Sequence, residues 1–289
     1  MIKGRIIKGI GGFYYVETKD EIIECKARGI FRNSSEKPYV GDLVRISMTG
    51  EMTGIIEEIL DRVSLIKRPP VSNATQVLVV FSWIEPKLNL QLLNKIILGA
   101  EKLMLDIVIC FNKSDLTDLE TEEKIRSIFK NTGYKLIFSS VEEAKGIDEI
   151  KSILQDNITI LSGPSGVGKS SLIRKLTGLS NSVEVGELSE KIKRGKHTTR
   201  HVELFKIQEN SYLADTPGFA NFEVDQMDES ELEMLFPEFE PLREQCRFKG
   251  CLHINEPDCM IKKNIGKEVS EERYEFYKQM HMELIQNRR

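Results

Sequence analysis

The residues best suited to chemistry form one run, Gly163-Pro164-Ser165-Gly166-Val167-Gly168-Lys169-Ser170. It fits the pattern G-x-x-x-x-G-K-[ST] at every fixed position. Glycines let a backbone curl so that successive N–H groups point at phosphate oxygens. A helix starting at the end of the run adds partial positive charge. In such a loop Lys169 reaches the β- and γ-phosphates and the Ser170 hydroxyl binds Mg²⁺. Ser171 follows and is counted with the nucleotide-binding residues. An apolar, β-favouring run, Ile158-Thr159-Ile160-Leu161, leads in, and an apolar-periodic stretch, Ser171 to Leu176, leads out as a helix. A chance glycine-rich turn would lack that strand–loop–helix setting.

Asn112-Lys113-Ser114-Asp115 fits N-K-x-D, the guanine-reading motif of GTPases. The Asp115 carboxylate can accept from both N1–H and the exocyclic amine of guanine. Adenine has neither donor there and would leave the carboxylate unpaired, a mismatch worth up to about 10⁴-fold. The Lys113 stem can cover the base plane and Asn112 can brace neighbouring loops. Standing alone, the motif also reads as a helix cap on Asp115; beside a P-loop the guanine reading takes precedence. Ser139-Ser140 ends the next expected strand, where GTPases place a short motif touching guanine O6. Asp215-Thr216-Pro217-Gly218 matches D-x-x-G, in which Asp215 holds Mg²⁺ through water and the Gly218 N–H meets the γ-phosphate. Between it and the P-loop lies Lys196-His197-Thr198-Thr199-Arg200; Thr199 is the first choice to complete Mg²⁺ coordination, with Thr198 second. Phe219 cannot position water as a glutamine would near this point. His197 is the candidate to orient or deprotonate it, with His201 a weaker rival.

The order of these motifs is N-K-S-D, S-S, P-loop, T-T, D-T-P-G, whereas an ordinary GTPase begins at the P-loop and ends at the guanine motifs. The chain therefore reads as a GTPase circularly permuted between its third and fourth motifs. Surface termini make such permutation physically tolerable.

A second constellation, Cys246-x4-Cys251-x-His253-x5-Cys259, supplies three sulfurs and one imidazole. That closed set suits one tetrahedral, structural Zn²⁺ with no open catalytic position. So small a segment has little core, and the metal should supply most of its local folding energy.

These residues need elements to hold them. At 289 residues the chain is long enough for two or three domains. Short β-rich segments around Ile6-Ile7, Phe13–Val16, Ile22-Ile23, Leu43–Ile46 and Gly54–Ile56 imply a small OB-like barrel over residues 1–68. Phe13, Tyr14 and Tyr15 can stack on bases, but alternation sends at least one of them to the core. Lys26, Arg28 and Arg32 can meet phosphates or line a solvated loop. Arg68-Pro69-Pro70 reads as a linker. Strands at Gln76–Phe81, Asp106–Phe111, Lys135–Phe138 and Ile158–Leu161 then alternate with helical patterns near 89–104, 119–131 and 147–154. This makes 69–222 an α/β domain with a largely parallel sheet, whose ligands bind at the strands' carboxyl ends. Helices near 228–235 and 269–286 flank the cysteine-rich segment in a zinc-binding helical domain over 223–289. The stripe Tyr274, Tyr277, Met280, Leu284 reads as packing rather than a groove. Net charge is −4, so nucleic-acid contact must come from local basic patches such as Lys191, Lys193, Arg194, Lys196 and Arg200, or Lys262, Lys263 and Lys267. No apolar run approaches the ~20 residues of a membrane span. The chain is expected to be a cytoplasmic monomer without membrane partners.

Together, the OB-like start, the permuted motif order and the C-x4-C-x-H-x5-C segment resemble the ribosome small-subunit-dependent GTPase A family (RsgA, or YjeQ). The resemblance covers essentially the whole chain. It implies a GTP hydrolase, cycling between GTP and GDP, that acts as a late checkpoint on the small (30S) ribosomal subunit. It also implies that the subunit stimulates hydrolysis, that hydrolysis accompanies release, and that the barrel and zinc domain grip rRNA. The family's switch histidine matches His197, and GTP is expected to order residues about 190–220. Many members read H-T-T-T; this chain has Arg200 in the fourth place. Two other readings stay open: an RNA-binding scaffold whose hydrolysis is incidental, and a P-loop kinase or ATPase, against which N-K-S-D argues.

Overall fold

Five short strands open the chain, each sending alternate side chains inward. They are β1 (Ile2–Ile10), β2 (Phe13–Glu17), β3 (Ile22–Ala27), β4 (Leu43–Met48) and β5 (Thr53–Ile59). The computed structural model describes residues 1–29, 31, 37–67, 70–178, 202–215 and 227–287. The chain divides into two compact units: Met1–Leu78, Gly146–Ser162 and Gly168–Phe219 in the first, Val79–Lys145, Gly163–Val167 and Ala220–Arg289 in the second.

In the first unit, β1 to β5 pair in the order β1-β2-β3-β5-β4, and β4 pairs back with β1 to close the expected barrel. Only β3–β5 is parallel. Ile6, Val16, Ile23, Cys25, Val44, Ile46 and Ile56 fill its interior with no exposure. Val16 takes the inward position on β2, and Phe13, Tyr14 and Tyr15 are all half-buried. None of the three aromatics is a core residue, because a core position is already occupied by the smaller β-branched side chain. Lys26 lies over the Phe13 ring and Arg28 pairs with Glu57. Arg32 lies outside the described residues.

Of the expected linker, Arg68 and Pro69 lie outside the described residues, and Pro70 opens a short strand. Leu65–Lys67 (β6) pairs antiparallel with Pro70–Ser72 (β7), and Val71 is fully buried and bridged to Val40. Gly41, at φ +99°, lies where a Cβ would drive into the Ser72 carbonyl, so glycine alone permits that approach.

The chain continues through β8 (Gln76–Phe81), β9 (Asp106–Phe111), β10 (Lys135–Phe138), β11 (Ile158–Ser162), β12 (Glu203–Gln208) and β13 (Ser211–Asp215). The helices are α1 (Leu90–Lys102), α2 (Leu119–Ile128), α3 (Ile147–Ile153), α4 (Lys169–Thr177), α5 (Glu229–Met234), α6 (Glu240–Arg243), α7 (Met260–Lys263) and α8 (Glu271–Asn287). In the first unit β11 runs parallel to β13, and β13 pairs antiparallel with β12. β12 meets β1 at Lys8↔Glu203. Nothing in the apolar pattern marks β12, whose Glu203, Lys206 and Gln208 belong to a strand beside the barrel rather than in the core.

In the second unit β9 lies between β8 and β10 and runs parallel to β10. Asn89 caps α1, its side chain accepting from the Leu92 N–H at 3.0 Å. The carboxyl-terminal helices share one core built on Phe236, Phe239, Phe276, Tyr277 and Met280, with Leu98 of α1 packed into it. Tyr274, Tyr277, Met280 and Leu284 are all buried, so the stripe on α8 is packing.

Candidate nucleotide site and metal centre

β11 ends at Ser162, and the chain turns sharply through Gly163 (φ +142°), Gly166 (φ +86°) and Gly168 (φ +93°) before α4 begins at Lys169. Gly163 is obligatory: a Cβ there would collide with the Val80 carbonyl of β8. Val167 is fully buried, while Ser165, Gly166 and Ser170 face solvent. Pro164 and Lys169 are half-buried, and Ser171 lies in the first turn of α4.

The N-K-S-D segment leaves the end of β9. The Asn112 N–H donates to the Phe81 carbonyl at 2.8 Å, while its side-chain amide donates to the Val167 carbonyl at 2.8 Å. The Asn112 side-chain oxygen accepts from the Ser139 hydroxyl at 3.1 Å. The Ser114 N–H donates to the Ser139 carbonyl, and the Ser139 N–H to the Phe111 carbonyl, each at 2.9 Å. One buried asparagine thus ties three loops together: that of 112–115, that of 139–140 and the P-loop. Lys113 takes a left-handed conformation at φ +61°, and Asp115 is exposed in a short 3₁₀ turn. Ser139 and Ser140 are fully buried, with the Ser140 N–H bonded to the Lys145 carbonyl at 3.0 Å. Ser139 therefore spends its hydroxyl inside the protein, leaving backbone groups as the chemistry of that loop.

Asp215 ends β13 in the first unit, within the electrostatic reach of Lys169. Burial pushes the Asp215 carboxyl up, and Lys169 opposes the shift. Burial pulls the Lys169 ammonium down, and Asp215 opposes that. The Ser170 hydroxyl and the Asp215 carboxylate are hard oxygen donors of the kind Mg²⁺ takes. His197, Thr198, Thr199, Arg200, His201, Gly218, Phe219 and the basic run 191–200 lie outside the described residues.

In the second unit, Cys246, Cys251, His253 and Cys259 bring their ligand atoms within 4.8 Å of one another. The His253 Nδ1 lies 3.3 Å from the Cys259 sulfur and 3.7 Å from the Cys246 sulfur. Its Nε2 lies 2.6 Å from Glu233 on α5. A carboxylate on the far nitrogen fixes the ring so that Nδ1 faces the sulfurs, as a metal-ligating histidine requires. The donor set and its geometry fit one closed metal site. Tyr274 and Tyr277 donate from α8 to the His253 and Leu252 carbonyls at 2.8 and 2.7 Å. Burial pushes the Cys251 thiol up to about 12 and the Cys259 thiol in the same direction, so metal binding must displace protons. Glu233 escapes sequence reasoning because it lies twenty residues upstream of His253 with no spacing signal.

A family model described as RsgA GTPase matches residues 59–225, and one described as RsgA N-terminal domain matches residues 3–56. The chain is 45% identical to the small ribosomal subunit biogenesis GTPase RsgA of Clostridium botulinum (strain 657 / Type Ba4), over 100% of this chain and 99% of that one. The chain belongs to the RsgA GTPase family. Among solved structures, YjeQ from Thermotoga maritima superposes with a TM-score of 0.82 at 33% identity, covering 98% of each chain. YloQ, a circularly permuted GTPase, superposes at 0.79 and 32% identity, covering 99% of this chain and 96% of that one. The RsgA likeness fits the barrel, the permuted order and the enzyme class read from the motifs: the protein is a GTP-hydrolysing enzyme with a circularly permuted fold. Among the described residues no helix is long and apolar enough to cross a membrane.

Proposed function

We propose that this RsgA-family chain binds the small ribosomal subunit late in its maturation and hydrolyses GTP as a checkpoint. In this reading the subunit stimulates hydrolysis and hydrolysis accompanies release. The observation that carries the nucleotide half is the Asn112 side chain, which joins the N-K-S-D loop, the Ser139-Ser140 loop and the P-loop through its 2.8 and 3.1 Å hydrogen bonds. A guanine reader and a phosphate cradle held by one buried amide form a preorganised pair.

The roles follow from chemistry. Asp115 reads the guanine edge, Lys113 covers the base, and Ser139 and Ser140 supply the loop beside O6. Backbone N–H groups from Gly163 to Ser171 and the Lys169 ammonium hold the phosphates. The Gly218 N–H meets the γ-phosphate, and His197 orients or deprotonates the attacking water. Ser170, Thr199 and Asp215 would hold Mg²⁺, which when bound offsets charge on the β- and γ-phosphates. Cys246, Cys251, His253 and Cys259 would hold one structural Zn²⁺. The barrel (1–68) and the zinc domain (223–289) that flank the GTPase domain (69–222) in sequence each contact rRNA, in a monomeric, cytoplasmic protein. The name of the Clostridium relative supports the ribosomal assignment.

GTP turnover with and without purified small subunits tests the reading, with ATP and large subunits as controls. Strong stimulation confined to GTP and small subunits is expected, and His197→Ala should remove it. Slow, unstimulated turnover would overturn the coupling and leave an RNA-binding scaffold.

A further inference from the structure

The hairpin that carries Asp215 is held from outside the nucleotide site. Besides β11, which pairs with β13, and the backbone near Lys151 and Asn157, the barrel supplies side-chain partners to it within the first unit. Two cross-strand rows make the connection. In one row Lys8 of β1 faces Glu203 of β12, which faces Asp215 of β13. Lys8 Nζ lies 2.9 Å from the Glu203 carboxylate. In the other row Lys206 of β12 faces Tyr212 of β13. Glu17, the last residue of β2, takes both: Lys206 Nζ donates to one carboxylate oxygen at 3.0 Å, and the Tyr212 hydroxyl donates to the other. Arg5 of β1 lies over the Tyr212 ring, 5.3 Å from its centre, and donates to the Gly41 carbonyl at 2.8 Å.

Charge and burial make these contacts consequential. Glu203 and Asp215 are two carboxylates directly opposite each other, an arrangement that repels. Lys8 balances the first, and Lys169 acts on the second. Tyr212 is 4% exposed, so its hydroxyl relies on partners within the protein, Glu17 first with Arg5 beside it. Only Leu213 and Ala214, in extended chain, separate it from Asp215, too few to absorb a displacement.

We propose that Glu17 and Lys8 of the barrel are positioning residues for Asp215, acting through the β12–β13 hairpin, so that the barrel sets the magnesium side of the nucleotide site and leaves the guanine side unaffected. This rests on the reading of Asp215 as a magnesium ligand. The consequence is directional. A macromolecule that pulls on the barrel changes how the site handles GTP with Mg²⁺ before it changes how the site holds the base.

The test uses the full-length chain and a fluorescent guanine nucleotide, with Mg²⁺ titrated against GTP binding and GDP affinity measured in chelator. Glu17→Ala and the double variant Lys8→Ala/Glu17→Ala should raise the Mg²⁺ concentration for half-maximal GTP binding about 3- to 10-fold, the range of 0.7–1.4 kcal/mol by the usual conversion. GDP affinity in chelator should stay within twofold. Tyr212→Phe keeps the ring under Arg5 and loses only the hydroxyl, so it should shift the same reading less, without a folding defect. Glu17→Gln retains an acceptor for Tyr212 and should recover part of the shift, which a merely structural role would not produce. Asp215→Asn is the reference. If it shifts the Mg²⁺ requirement while folded Glu17→Ala and Tyr212→Phe do not, the positioning proposal is overturned. If Asp215→Asn leaves the requirement unchanged, the magnesium reading of Asp215 fails, and the proposal falls with it. Equal losses of GTP and GDP binding would mean general damage and would also overturn it.

Discussion

Two parts of the second unit solve the problem of placing polar groups in opposite ways. The guanine-side loops spring from the ends of β8, β9 and β10 and are locked by backbone hydrogen bonds and one buried asparagine. Strands set the position, and Asn112 only closes the gaps. The cysteine-rich segment has almost no regular structure of its own. Between α6 and α7 it is held by Phe239 against His253, by two tyrosine hydroxyls from α8, and by Glu233 from α5. Its loop holds the candidate ligand His253 at φ +60° and the neighbouring Asp258 at φ +56°, conformations that cost energy in non-glycine residues. One region is preorganised by its scaffold; the other gathers a Cys₃His cluster that could hold a metal ion across a strained loop.

Removing the metal is the sharpest way to break that comparison. Strong chelation, or Cys251→Ser, should abolish cooperative unfolding of the carboxyl-terminal helices in calorimetry and release about one equivalent of metal. Guanine nucleotide binding should persist. Equal loss of both functions would show that the two regions are not independently held.

The next largest effect belongs to the ion pair under the shared core. Arg273 is 1% exposed and makes paired bonds to Glu238 at 2.7 and 3.1 Å, with a third to Asn94 of α1 at 3.1 Å. Glu238→Gln leaves that guanidinium buried without its counter-charge and should cost about 3–5 kcal/mol of stability in denaturant unfolding. An apolar double replacement at both positions should recover much of the loss, because the pair's desolvation cost disappears with it.

Asn112→Ala strips partners from the Val167 carbonyl and the Ser139 hydroxyl, and should cost about 1–3 kcal/mol. The loss should be read in GDP affinity rather than in metal content. Glu233→Gln should weaken metal affinity about 10- to 100-fold in competition titrations while leaving GDP affinity alone. The smallest expected effect is a control on the scaffold. Asn89→Ala removes the α1 cap and should lower unfolding free energy by about 1 kcal/mol with nucleotide and metal affinities unchanged.

Much of this was legible because the chemistry is local. A P-loop needs glycines at fixed offsets between a strand and a helix, and the structure places a positive φ at Gly163, Gly166 and Gly168. The alternating pattern locates β1 to β5, and the apolar runs locate β8 to β11 and β13. Two things resisted. β12 sets Leu204, Phe205 and Ile207 among Glu203, Lys206 and Gln208 with only Leu204 buried, too mixed a run to stand out as a strand. Alternation sends at least one of Phe13, Tyr14 and Tyr15 to the core, and Val16 holds that position instead.

By itself the sequence determined the motifs, their permuted order, the barrel and the Cys₃His set that could hold a metal ion, because each depends on residue types at short, fixed separations. Only the tertiary structure decided that Asn112 joins three loops, that Glu233 orients His253, that Arg273 pairs with Glu238, and that Glu17 grips the hairpin leading to Asp215. Those partners lie 20 to 195 residues apart along the chain. A hydrogen bond or ion pair over such a span leaves no periodic trace, since its geometry exists only after the strands and helices that carry its two ends have packed.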